Sequence, residues 1–183
     1  VRWGVFCSLG AACNIDKGYF FDSVFIDMLK LRASYGWVCN NNLNSYYPYQ
    51  ALYDLGFNNA SEPGIIQASL AAEDLLWETN STYDVGIDFA FGKRFSGSLE
   101  YFYRESQNLL FDVPLSLTTG LNSRIQNVGT MSNNGIEFSI QGDIIRTNEF
   151  TWTSSLNIST FNNEFKKLPF EEQIVGTKKL VVG

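Results

Sequence analysis

The first fifteen residues constrain the fold more than any other part of the chain. The odd positions Val1, Trp3, Val5, Cys7, Leu9, Ala11, Cys13 and Ile15 are all apolar. The even positions Arg2, Gly4, Ser8, Gly10, Ala12 and Asn14 are small or polar, with Phe6 the exception. A period of two held this long means a β-strand with one apolar face. Strands in globular proteins usually run about five or six residues. A strand of this length, apolar on one side and rich in Gly, Ser and Asn on the other, suits a barrel wall facing lipid.

The pattern returns five times. Leu29 to Trp37, Tyr83 to Phe91, Arg94 to Arg104, Ile136 to Ile144 and Phe150 to Ser159 all alternate in the same way. The expected fold is therefore all-β: about six antiparallel strands of a transmembrane β-barrel. The connections support it. Short turns join the third strand to the fourth at Phe91-Gly92-Lys93-Arg94, and the fifth to the sixth at Arg146-Thr147-Asn148-Glu149. Long segments, predicted as extracellular loops, occupy about 38–76, 106–134 and the chain after 162. Outer-membrane barrels combine short periplasmic turns, long extracellular loops and aromatic girdles. A soluble β-sandwich also alternates, but it rarely carries structureless loops this long.

Composition narrows the function. The chain has no histidine, so Ser-His-Asp and Cys-His catalysis and His-liganded zinc are excluded. Thirteen Lys and Arg against nineteen Asp and Glu leave a net charge of −6, without the basic balance of a nucleic-acid binder. No run of eighteen apolar residues marks a transmembrane helix. Cys7, Cys13 and Cys39 read as small apolar wall residues rather than a disulfide or a metal site. No cofactor, metal or catalytic residue is expected.

Aromatic residues make up 15% of the chain, and a barrel has places for them. Trp3 and Trp37 are expected together at the extracellular rim, if the first two strands pair as a hairpin. Phe91, Phe95, Phe150 and Trp152 belong beside the short turns as a membrane-interface girdle, with Tyr19, Phe20, Phe21 and Phe25 at the same level. On the opposite strand face, Lys30, Arg32, Asp84, Asp88, Arg94, Glu100 and Arg104 form an expected network of lumen charges. Tyr46, Tyr47, Tyr49 and Tyr53 cluster around Pro48 in the first long loop. Such a cluster suits recognition of a substrate or partner, or a loop packing on its own rings.

These segments resemble the SusC/RagA group of TonB-dependent transporters from the outer membrane of Bacteroidota. The resemblance rests on five ordered motifs. Arg2-Trp3-Gly4-Val5-Phe6 with Gly10-Ala11-Ala12-x-Asn14-Ile15 comes first, then Leu29-Lys30-Leu31-Arg32-Ala33-Ser34-Tyr35-Gly36. Leu76-Trp77-Glu78-Thr79 and Tyr83-Asp84-Val85-Gly86-Ile87-Asp88-Phe89 follow. Asn127-Val128-Gly129-x-Met131-x-Asn133-x-Gly135-Ile136-Glu137 completes the set. Positions 7 and 13 are Cys where the group often has an aromatic, Cys39 stands where Gly is usual, and the approach to Trp77 lacks the usual Asn-Pro.

The resemblance implies a plugged barrel of about 22 strands, working under a SusD-like lipoprotein lid. It implies import of a large polar nutrient, a glycan oligomer or a peptide, driven through TonB. The plug, the TonB box and the C-terminal strand are not recognisable in the 183 residues. Residues 1–183 are therefore expected to be part of one barrel domain of a longer chain. Two other roles are open at this stage: a structural subunit of a larger outer-membrane assembly or secretion machine, and a passive porin.

Overall fold

The computed structural model describes residues 3–16, 25–41, 47–170, 172–175 and 178–183. Strand β1 is Cys7–Asn14, β2 Ile26–Asn40, β3 Leu52–Leu55, β4 Ile65–Ser69 and β5 Glu78–Phe91. Strand β6 is Phe95–Pro114, β7 Ser123–Arg146, β8 Thr151–Lys167, β9 Glu172–Val175 and β10 Lys178–Val181. One antiparallel sheet contains six of them in the order β1-β2-β5-β6-β7-β8. The other four form two separate hairpins, β3-β4 and β9-β10. The six sheet strands are the six read from the alternation.

Five of these strands are longer than the alternation indicates: β2 has 15 residues, β5 has 14, β6 has 20, β7 has 24 and β8 has 17. Most of the excess lies at one end of the sheet, where residues such as Ser106, Gln107 and Asn133 are polar on both faces. Away from lipid neither face has to be apolar, so the backbone remains a strand after its sequence signature fades. This corrects the expected structureless loop at 106–134. Strands β6 and β7 stay paired from Phe95 opposite Gly142 to Pro114 opposite Ser123. Only residues 115–122 turn the chain, with the short 3-10 helix Leu117–Thr119 capped by Ser116.

The register of the first hairpin also differs from expectation. Trp37 pairs with Cys7, and Trp3 lies four positions further out. The offset is even, so the assignment of faces survives it. A one-residue slip would have inverted every side chain.

The sheet does not close over an apolar core. Among the described residues the buried hydrophobics are Ala72 and Leu168. Val85 and Ile158, in the middle of long strands, are 54% and 55% exposed. A sandwich would cover that face with a second sheet. Here the apolar face is open along its whole height, as a wall in lipid must be.

Close strand packing depends on glycine at particular points. Gly135 lies opposite Phe102, whose ring covers it. A Cβ there would stand 2.7 Å from Phe102 Cζ and run into the Thr160 carbonyl oxygen. We expect Gly135→Ala to cost about 1–2 kcal/mol by overpacking, measured by denaturant unfolding of the full barrel. No loss of stability would show that the ring moves aside freely.

Candidate functional site

The two faces of the sheet carry different chemistry. On one, apolar side chains line up in rows across neighbouring strands. Cys13, Leu31, Ile87, Leu99, Phe138 and Ile158 form one row. Ala33, Val85, Tyr101 and Ile136 form the next. The band ends in a row of tyrosines, Tyr35, Tyr83 and Tyr103, with ring centroids 4.6 and 6.2 Å apart. At the other end Phe25, Phe91 and Phe95 stack, with centroids 5.7 and 5.2 Å apart. Tyr83 and Phe91 are eight steps apart, roughly 27 Å of strand, or about 20 Å of height at the usual barrel tilt. Phe150 and Trp152 lie at the phenylalanine end and are exposed.

The tyrosine row was not foreseen. Its three members sit on strands far apart in sequence, and only the pairing aligns them. The expected Trp3–Trp37 pair does not form. The Trp37 indole N–H donates instead to the Val5 carbonyl at 3.0 Å, and Trp3 stands exposed beyond the strand. Tyr19, Phe20 and Phe21 lie outside the described residues.

Beyond the tyrosine row, Glu105 accepts hydrogen bonds from Tyr103 at 2.7 Å and Gln107 at 2.5 Å. Lys166 stands 3.3 Å away. The Tyr103 hydroxyl first, then the Gln107 amide, hold the Glu105 carboxyl below the usual carboxylate range.

The opposite face carries the charges. Arg32 donates from Nη2 to Glu100 at 2.6 Å and from Nε to Asp88 at 3.3 Å. Its direct neighbour on β5 is Gly86, and Glu100 lies on the strand after that. A Cβ on Gly86 would sit 3.0 Å from Arg32 Cζ, so the glycine is what lets the guanidinium cross to Glu100. Lys30 pairs with Asp88 in register, and Ser34 Oγ donates to Asp84 at 3.0 Å. Arg104 lies between Thr82 and Asn133 on the same face. Glu137, missed in the sequence, stands directly opposite Glu100. One expected member is misplaced: Arg94 belongs to the turn after Phe91 and not to the sheet face. Asp27 Oδ2 accepts from Lys93 N at 2.5 Å in that turn, and the Arg94 carbonyl accepts from Asp143 N of β7 at 3.1 Å.

The long-connection end holds the remaining candidates. Tyr46 lies outside the described residues. Tyr47 and Tyr49 approach with ring centroids 6.5 Å apart, and Tyr53 stands exposed on β3 opposite Gln67. Nearby, Asn127 fixes the chain that leads into β5. Its Oδ1 accepts from Leu76 N, and its Nδ2 donates to the carbonyls of Leu76 and Asn108, each at 2.8 Å. Glu78 Oε1 accepts from Leu110 N at 3.1 Å and caps the edge that β5 leaves uncovered. Asn127 entered the sequence reading only as the first residue of a motif.

A single antiparallel sheet, open and apolar outside, charged inside and edged by aromatic rows, defines a section of a transmembrane β-barrel wall. Comparison with known proteins agrees. Residues 15–179 match the TonB dependent receptor-like, beta-barrel family. The chain belongs to that family, within its SusC/RagA group, and is an outer-membrane protein.

TonB-dependent receptor P39 of Formosa agariphila is 35% identical over 172 residues, covering 93% of this chain and 16% of that receptor. TonB-dependent receptor SusC of Bacteroides thetaiotaomicron is 33% identical over 176 residues, covering 91% of this chain and 18% of SusC. The solved RagAB peptide importer in its open-open state superposes with a TM-score of 0.85 at 26% identity, over 97% of this chain and 20% of that one. The chain thus spans a fifth or less of the proteins it matches.

Proposed function

We propose that the chain forms part of the wall of a SusC-like importer, which moves a large polar oligomer, a glycan or a peptide, across the outer membrane at the expense of TonB. The observation that carries this reading is the division of the sheet between an open apolar face and an opposite face of paired charges. A wall of that kind separates lipid from an aqueous or plug-filled interior. Lys30, Arg32, Asp84, Asp88, Glu100 and Arg104 line the interior in this reading. Phe91, Phe95, Phe150 and Trp152 mark the periplasmic interface, and the tyrosine row with Trp37 the extracellular one.

The remaining assignments follow from this orientation. The long excursions, with Tyr47, Tyr49 and Tyr53, face outward, where substrate and a SusD-like lipoprotein lid arrive. TonB is engaged through other parts of the protein. Residues 1–183 belong to a single barrel domain whose further strands pair with the edges of β1 and β8.

Membership of this family and the likeness to a peptide importer support import. Uptake of a fluorescent oligomer by cells that carry the whole transporter is expected to fall to background when TonB is deleted. Unchanged uptake would end the proposal.

A further inference from the structure

At the long-connection end, the segment leading into β5 lies against the upper part of β7 and borders an open cavity of about 290 Å3. That is near the lower limit for small-molecule sites, enough for one end of an oligomer. Arg124 lines it. The Arg124 Nε is sealed from solvent without a hydrogen-bond partner, and among the described residues the guanidinium has no ion-pair partner either. A guanidinium has five N–H donors and stays charged. With no carboxylate paired to it among the described residues, the charge is left for an incoming anion, which the terminal Nη groups rather than the closed-off Nε would meet.

The rest of the lining narrows the ligand. Leu75, Leu76, Ile125 and Val128 supply aliphatic surface, and no aromatic ring is present. Carbohydrate sites ordinarily offer an aromatic face to the C–H groups of a sugar. Asp74 lines the same cavity. Its carboxylate repels a polyanion, yet it can accept from N–H donors that flank a single carboxylate. The two hydrogen bonds between Asn127 and Leu76 hold the two walls together before any ligand arrives, which lowers the cost of ordering them on binding.

We infer that this cavity is a subsite for the C-terminal end of a peptide cargo, with the terminal carboxylate on Arg124 and the last side chain against the aliphatic wall. The inference rests on the import reading above, and it narrows the cargo from polar oligomer to peptide. A planar guanidinium matches a carboxylate with two parallel hydrogen bonds. An amidated terminus removes the charge and one of the two acceptors.

The test uses the full-length transporter in lipid nanodiscs and three probes. Two are a hexapeptide of glycine, alanine and leucine, with either a free C-terminal carboxylate or a C-terminal amide. The third is trigalacturonate, which carries carboxylates on sugars. The free acid is expected to bind at least about tenfold tighter than the amide, the scale of a charged hydrogen bond. In Arg124→Gln the two peptides should bind alike, through weaker binding of the acid with the amide unchanged. If Arg124→Gln fails to insert, Arg124→Lys decides, and its acid-to-amide ratio should fall several-fold.

The inference is overturned by equal binding of acid and amide to the parent protein, or by binding of neither. It is also overturned by a ratio that survives both substitutions, or by trigalacturonate binding more tightly than the peptide acid through Arg124. TonB-dependent uptake is measured separately. Uptake without acid–amide discrimination removes the subsite alone, and discrimination without TonB-dependent uptake removes the import reading alone.

Discussion

Leu31→Arg is expected to destabilise the assembled barrel by about 2–4 kcal/mol, the cost of an arginine on the lipid face near the bilayer midplane. Leu31 lies between Cys13 and Ile87 in the row midway between the tyrosine and phenylalanine rows, so a guanidinium there has the longest way to reach either interface. Ser34→Arg, three residues further along the same strand, should cost less than about 1 kcal/mol. It lies on the opposite, charged face, where Asp84 already accepts a hydrogen bond from Ser34. The comparison is made by urea unfolding of the full-length protein in lipid vesicles, with both variants in parallel. Equal costs would mean that the two faces are wrongly assigned.

Arg32→Met should cost about 1–3 kcal/mol at low salt, because it removes the ion pairs to Asp88 and Glu100 at once and leaves Asp88 only Lys30 in register with it. The figure is held below that of a fully buried pair because Arg32 is about a third exposed and water screens it. Glu100 would then face Glu137 across the β6–β7 pair without the cation that reaches it from β2, an unfavourable pairing of like charges. Adding Glu100→Gln should recover part of the loss, and 1 M salt should shrink it. A double-mutant cycle reads the coupling directly. Strictly additive losses would show that Arg32 does not stabilise these carboxylates.

The barrel was legible because lipid imposes a strict pattern. Each of the six sheet strands shows its alternation in the apolar band, and the short turns at Phe91-Gly92-Lys93-Arg94 and Arg146-Thr147-Asn148-Glu149 lie where composition places them. Outside the band no solvent contrast enforces alternation. The extensions of β6 and β7 past Ser106 and up to Asn134, and the small hairpins β3-β4 and β9-β10, therefore left no comparable trace. The first register was off by four residues because β1 and β2 are joined by eleven residues, 15–25, rather than by a tight turn that would set it.

The candidate sites divide in the same way. Arg32, Asp88 and Glu100 could be assigned to one face by counting in twos. That Arg32 reaches both carboxylates across Gly86 could not, since the contact joins three strands. Arg94 was misassigned because alternation was carried one residue too far into the turn. Arg124 and Asn127 gave no local signal. Their significance depends on a loop segment more than forty residues away being brought against β7.

The amino-acid sequence by itself determined which residues share the apolar face of the sheet and which the charged one, because a period of two is a local property of the chain. The tertiary structure decided which residues meet across strands: the tyrosine row, the bridge from Arg32 to Glu100 and the cavity at Arg124. Those meetings depend on register and on the path of long connections, which are set by non-local hydrogen bonds that no single segment encodes.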